Sequence, residues 1–151
     1  MSDIPHDAGF VEVGERCWVA RYGYLDVNVG VVAGERGLVV VDTQVSEAAA
    51  RTVLEDLRRL ARGEVVTVVN THEHFDHTFG NARFGSVPIW AHDRCAGLLR
   101  TDADAERMRR HAIDELPDMS AELAAVEITP PTDTLPQAGS RPARAGSSKT
   151  W

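Results

Sequence analysis

Thr71-His72-Glu73-His74-Phe75-Asp76-His77-Thr78-Phe79-Gly80-Asn81 gathers three histidines and an aspartate into the six residues 72–77. It follows directly on Val65–Val69, a continuous apolar run of strand length that suits a buried strand. In an extended segment residues i and i+2 point the same way, so His72 and His74 present their imidazoles on one side while Glu73 and Phe75 face away. A turn after Phe75 projects Asp76 and His77 into the adjoining space. Two histidines for one ion and an Asp-His pair for a second make a paired metal site. Zinc takes neutral imidazole nitrogen and carboxylate oxygen at about 2.0–2.2 Å, and iron or manganese suits the same donors. The competing reading, a polar loop with incidental histidines, is disfavoured by the spacing and by its place at a strand end.

Working outward, the β-branched runs Val27–Ala33 and Leu38–Asp42 flank Gly34-Glu35-Arg36-Gly37 and predict a hairpin. Cys17–Tyr22 reads as an earlier strand of the same sheet, broken at Gly23. From Ser46 the apolar residues Ala50, Val53, Leu54, Leu57, Leu60 and Ala61 recur at three- and four-residue spacing and predict an amphipathic helix. Ser46 is its expected N-cap and Gly63 its expected left-handed terminator. Downstream of the histidine cluster, Pro88–Ala91 reads as a short strand, and Asp93–Arg100 and Asp102–Leu116 as helices ended by Pro117. This order predicts an α/β fold with a parallel sheet under helical cover.

The chain has 151 residues, 43% hydrophobic and 26% charged, which is one globular domain's worth and enough apolar residue for a core. A formal charge of −7 argues against a nucleic-acid partner, which would need a basic face. Cys17 and Cys95 form no CxxC pair, the start has no signal-peptide pattern, and no run reaches the length of a membrane span. The expectation is a cytoplasmic protein acting on a small molecule, with no membrane partner and with its oligomeric state open. Residues 134–151 carry Arg141, Arg144 and Lys149 without any acid, and Pro, Gly and Ser dominate there. They predict a domain over residues 1–134 and a disordered tail over 135–151.

The sequence resembles the metallo-β-lactamase fold superfamily, whose HxHxDH signature stands here as His72, His74, Asp76 and His77. The hairpin with Asn28-Val29-Gly30-Val31-Val32, the run Leu38–Thr43, the following helix and Thr71–Asn81 extend the likeness over about residues 13–129. The resemblance implies the N-terminal αβ half of an αββα sandwich. It further implies zinc, one or two ions, with His72 and His74 on one metal and Asp76 and His77 on the second. Asp76 would also steer the attacking water or take its proton, and Asp42 would support the metal loop. An ester, thioester or amide carbonyl is the implied point of attack.

Family members carry a third histidine in a Gly-His-Thr-like turn, then a bridging aspartate and a last histidine; only His92 and His111 follow His77 here. The expectation is a truncated or frame-shifted product. Two functions follow: a zinc-dependent hydrolase, or a catalytically inactive fragment retaining partial metal binding. Among the remaining residues, Thr78 and Asn81 are expected to cap the helix after the motif, His92 to serve structure at a strand-helix junction, and His111 to lie on a solvated helix face with Arg107, Arg109 and Arg110. Cys95 is expected to be a small buried hydrophobe, and Trp18, Phe79, Phe84 and Trp90 to be core.

Overall fold

The structure is a computed structural model and describes residues 4–135. Its frame is a seven-stranded sheet in which β1 (Val11–Gly14), β2 (Cys17–Tyr22), β3 (Val27–Ala33), β4 (Leu38–Val41), β5 (Val65–Val69), β6 (Ile89–His92) and β7 (Asp133–Leu135) lie side by side in chain order. The first four strands run antiparallel and the last four parallel. The sheet is therefore mixed, not wholly parallel. Short connections between β1 and β4 permit only antiparallel pairing, whereas the helical crossovers after β4 bring the chain back in the same direction.

Helix α1 (Glu47–Leu60) supplies the first crossover. Ser46 stands in extended conformation and its Oγ accepts from the Ala49 amide at 3.2 Å, which satisfies one orphan donor of the first turn. At the other end the left-handed residue is Ala61 (φ 51°), whose N–H donates to the Leu57 carbonyl, and Gly63 takes its positive φ two residues later. The left-handed terminator is thus Ala61 and not the expected Gly63. Ala50, Val53 and Leu57 of α1 pack against Trp18, Ala20, Val31, Leu38, Val40 and Val68 in one core.

The loop after β5 turns into α2 (Phe75–Thr78), and β6 leads into α3 (Asp93–Gly97) and α4 (Asp102–Glu115). Helix α5 (Ser120–Ala125) follows the break at Pro117. A second core joins Val45, Phe75, Phe79, Ala112, Leu123 and Val126, so α2, α4 and α5 share one apolar centre beside the start of α1. Arg109 fastens α4 to α5, donating from Nη1 to the carbonyls of Leu123, Ala124 and Val126 at 2.8–3.1 Å. The last carbonyls of a short helix lack intrahelical partners, and Arg109 serves them from outside.

Trp18, Phe79 and Phe84 are core as expected, while Trp90 stays half-buried on the other side of the sheet. Among the described residues no helix is long and apolar enough to cross a membrane. Of the tail expected over 135–151, Leu135 closes β7 and the rest lies outside the described residues.

Candidate metal centre

The loop bearing the histidine cluster is held by polar bonds that the sequence separates widely. Strand β4 ends at Asp42, which adopts φ 65°, and Gln44 two residues on has φ 83°. Left-handed backbone at non-glycine positions is costly and persists only where the surroundings impose it. Here the imposing contacts are visible. The Thr43 amide donates to the His77 carbonyl at 3.0 Å and the Gly80 amide to the Gln44 carbonyl at 2.9 Å, so the two loops are laced together. Gly80 crosses so close beneath that a Cβ there would lie 1.9 Å from the Thr43 carbonyl oxygen.

Asn81, fully buried, is the centre of the lacing. Its Oδ1 accepts from Thr43 Oγ1 (2.8 Å) and Asn70 Nδ2 (3.1 Å), and its Nδ2 donates to Asn70 Oδ1 and to the Thr129 carbonyl (2.9 Å each). Thr78 donates back to the His74 carbonyl at 3.0 Å. Both residues were expected as helix caps. The structure uses Thr78 to bond back to the carbonyls of Glu73 and His74 within the loop, and Asn81 to bind Thr43, Asn70 and Thr129, partners that reach it only through the fold.

Asp42 is the buried carboxylate under the motif. It accepts from the Thr71 amide (2.8 Å) on Oδ1, and from the Thr71 hydroxyl (2.7 Å) and His77 Nδ1 (2.8 Å) on Oδ2. With the Thr71 hydroxyl proton spent on Asp42, the 3.0 Å contact between Thr71 Oγ1 and His72 Nδ1 is made by a proton on Nδ1. One carboxylate thereby fixes two imidazoles, His77 directly and His72 through Thr71. In each, Nδ1 is committed to the protein, which leaves Nε2 as the nitrogen for a further partner.

His77 Nε2 stands 3.3 Å from Asp76 Oδ2, and His74 Nδ1 lies 3.9 Å from Asp76 Oδ1. The hydrogen bond to Asp42 first, and that to Asp76 next, push the His77 imidazole up to about 9 against the effect of burial. Burial opposes ionisation of Asp76, but the hydrogen bond to His77 and its charge outweigh it and hold the carboxyl below its ordinary value. The four predicted residues are therefore brought to one end of the sheet, at the carboxyl ends of β4 and β5.

The donors fit a metal in kind and, in part, in placement. Two imidazoles on one tetrahedral zinc, with Zn–N of about 2.0–2.1 Å, stand with ring centroids roughly 5 Å apart. The His72 and His74 rings are 5.1 Å apart, and those of His72 and His77 are 4.2 Å apart. Among the described residues no three His, Cys, Asp or Glu side chains close into a finished cage. The site is a donor pair with an Asp-His pair beside it.

The remaining candidate residues stand as their positions suggest. His92 caps α3, its Nδ1 accepting from the Arg94 amide at 3.1 Å, as its place at the junction suggested. Cys95 is buried. His111 is exposed on its helix face, as expected, with its ring 6.0 Å from Phe75 and 6.5 Å from His74. It is half exposed and pairs with Glu115 at 3.1 Å. Thr71 and Asn70 are the supports of the loop that local pattern did not reveal, since Asp42 and Asn81, which they bond, lie well away in sequence.

This loop-and-strand arrangement belongs to a recognised class. A family profile described as the metallo-beta-lactamase superfamily matches residues 22–143, and the chain belongs to that superfamily. The chain is 35% identical over 84 residues to an (R)-specific secondary-alkylsulfatase from Pseudomonas sp, an overlap of 55% of this chain and 12% of that protein. The fold is similar to that of the FEZ-1 metallo-beta-lactamase from Legionella gormanii, with a TM-score of 0.65, 13% identity, and 89% and 48% of the two chains covered. It also resembles MEM-A1, a subclass B3 metallo-beta-lactamase from a soil metagenome library, with a TM-score of 0.61, 18% identity, and 88% and 47% covered. The chain thus spans about half the length of these structures and a small part of the alkylsulfatase.

Proposed function

We propose that this chain carries a zinc site of a hydrolase acting on a small-molecule ester, with His72, His74, Asp76 and His77 as the metal ligands. The observation that carries the reading is the single buried carboxylate, Asp42, that orients two of those imidazoles at once. A structural loop has no need of such control over which ring nitrogen stays free. Zinc, when bound, supplies Lewis acidity that brings the pKa of a water down to about 7 and polarises the bond under attack. Iron or manganese suits the same donors.

The chain's own residues divide the remaining work. Thr71 and Asp42 hold Nδ1 of His72 and His77, which leaves Nε2 of His72 for a metal and turns Nε2 of His77 to Asp76. Release of the Nε2 proton of His77 breaks its pairing with Asp76 and frees both as donors. Asp76, already favoured as the carboxylate, steers the attacking water and takes its proton. The alkylsulfatase likeness adds sulfate esters to the carboxylic esters, thioesters and amides that the site chemistry suits.

A second reading, an inactive fragment with partial metal binding, is favoured by the absence of a three-donor cage among the described residues. Metal stoichiometry and a melting curve test the first step. Uptake of one or two zinc ions per chain and a rise in Tm on adding zinc support the site, since a ligand that binds only the folded state stabilises it. Less than about a tenth of a zinc per chain with no rise in Tm overturns it. Assay of the zinc-loaded chain against aryl sulfate, carboxylic ester, thioester and β-lactam reporters then separates hydrolase from inactive fragment.

A further inference from the structure

Gly30 is a glycine that nothing within the chain requires. It stands in the middle of β3, in unbroken register with Val19 of β2 and Val41 of β4, so neither a bulge nor a turn passes through it. Its φ is not positive, and a Cβ there would meet the Val41 Cβ at 3.4 Å, an ordinary contact. Glycine inside a strand weakens it, and where no bulge or bend explains it, it marks a place that another group approaches closely. The space over Gly30 is open: with Val19 and Val41 it lines a cavity of about 510 Å³.

That hollow lies on the face of the sheet turned away from α1. The row Val19, Gly30, Val41, Val69 and Trp90 crosses β2 to β6 in direct register, and each member is partly exposed. The next row, Cys17, Val32, Val39 and Thr67, also holds no charged residue, although the chain as a whole carries −7. Val32 in that row is 42% exposed. A face with a missing side chain at β3 thus has its largest side chain, Trp90, three strands away at β6, about 14 Å along the same row.

We propose that this face binds the same face of a second copy of the chain, about a two-fold axis that runs along the strands between β4 and β5. Such an axis lays β6 of one copy over β3 of the other, so the partner's Trp90 fills the hollow over Gly30, and Trp90 fills that of the partner. Val41 then meets the partner's Val69, and the reverse, as a self-complementary two-fold contact demands. Sheets that pack face to face stand about 10 Å apart, a gap that an indole spans only where the facing residue has no side chain. The pairing centres on β3 to β6 and leaves β2, with Cys17, at its rim. Tryptophan seated in a pocket at the middle of a contact is also the residue type that carries the most binding energy.

The test is sedimentation velocity on the full chain from about 1 to about 200 µM, with circular dichroism to establish that each variant is folded. We expect a reversible dimer that added salt does not weaken, because the contact is apolar and salt screens the repulsion between two chains of charge −7. Gly30→Val fills the hollow and Trp90→Ala removes the group that enters it; each should raise the dimer dissociation constant at least about tenfold. If one of them fails to fold, the other decides alone. Because the two positions face each other, the double variant should lose no more than the worse single one, as contacting positions are not additive. A wild-type chain that stays monomeric throughout, or that forms only assemblies of no fixed size, overturns the proposal. A dimer that the folded single variants leave intact, or a double variant whose two losses simply add, overturns it as well.

Discussion

The two faces of the sheet are built from the same residue types and meet different surroundings. On the helix side, Trp18, Val31, Val40, Val68 and Ile89 are register partners across β2 to β6, and each is buried. On the opposite side the aligned row is Val19, Gly30, Val41, Val69 and Trp90, all partly exposed except where neighbours shield them, and beside it run Cys17, Val32, Val39 and Thr67. Strands with one wet face alternate apolar and polar residues, whereas strands covered on both faces are apolar throughout. Apart from Arg21, Asn28 and Thr67, the strands β2 to β5 follow the second pattern. The open row also runs into a cavity of about 510 Å³ whose walls include Val19, Val41, Asp42, Asp76 and His77, so the face and the histidine loop are continuous.

The sharpest way to break the covered side is at Gly80, where the metal loop passes over the start of α1. An added Cβ would sit 1.9 Å from the Thr43 carbonyl and 2.8 Å from the Ala50 Cβ, both parts of rigid elements. Gly80→Ala is expected to cost more than about 4 kcal/mol, comparable to the whole stability of many domains, and to yield insoluble or unfolded protein by circular dichroism. A soluble variant melting like the wild type would mean that the loop does not cross there. Next in size is Leu38→Ala, which empties a fully buried position on the same side. It should cost about 2–5 kcal/mol in urea denaturation, as truncations at well-packed sites do.

The two thiols sharpen the contrast chemically. Cys17 stands on the open face beside Val32, while Cys95 is buried in α3. Burial, together with the negative charges of Glu73 and Asp42, pushes the Cys95 thiol up to about 11 from its ordinary 9.0. Folding therefore keeps the proton on Cys95, and its contribution is intact below about pH 9 and fades as pH climbs toward 11. Iodoacetamide at pH 8 should modify one thiol per native chain, with mass spectrometry placing it at Cys17, and Cys95 only after unfolding.

Much of this frame was legible in sequence because it is written in local period. The valine runs of β3 to β5 and the three- and four-residue spacing of α1 each report the face they bury, and Ser46 caps α1 as its residue type suggests. The six-residue histidine motif likewise marks, by spacing alone, where His72, His74, Asp76 and His77 gather at the end of the sheet. What escaped are β1, β7 and α5, too short to show a period, and the antiparallel-to-parallel change, which depends on how connections cross. The support of the site was hidden for another reason. Asp42 with Thr71 and His77, and Asn81 with Thr129, are joined across 29 to 48 residues, and nothing local in the chain marks such a pair.

The smallest expected effect belongs to the open face and tests the comparison most directly. Val32 is 42% exposed in the middle of its row, opposite Cys17 on β2 and Val39 on β4. Val32→Thr keeps the β-branch and the strand preference and replaces one methyl by a hydroxyl that water can reach. Where the face is wet, the change should fall within about 0.5 kcal/mol of zero by urea denaturation, as exposed substitutions generally do. Where another surface covers it in solution, the hydroxyl would be buried without a partner and cost about 1–3 kcal/mol. The difference between those values exceeds the error of a denaturation midpoint. Measuring it at two protein concentrations also shows whether the cover comes from a second copy, because only then does the cost change with concentration.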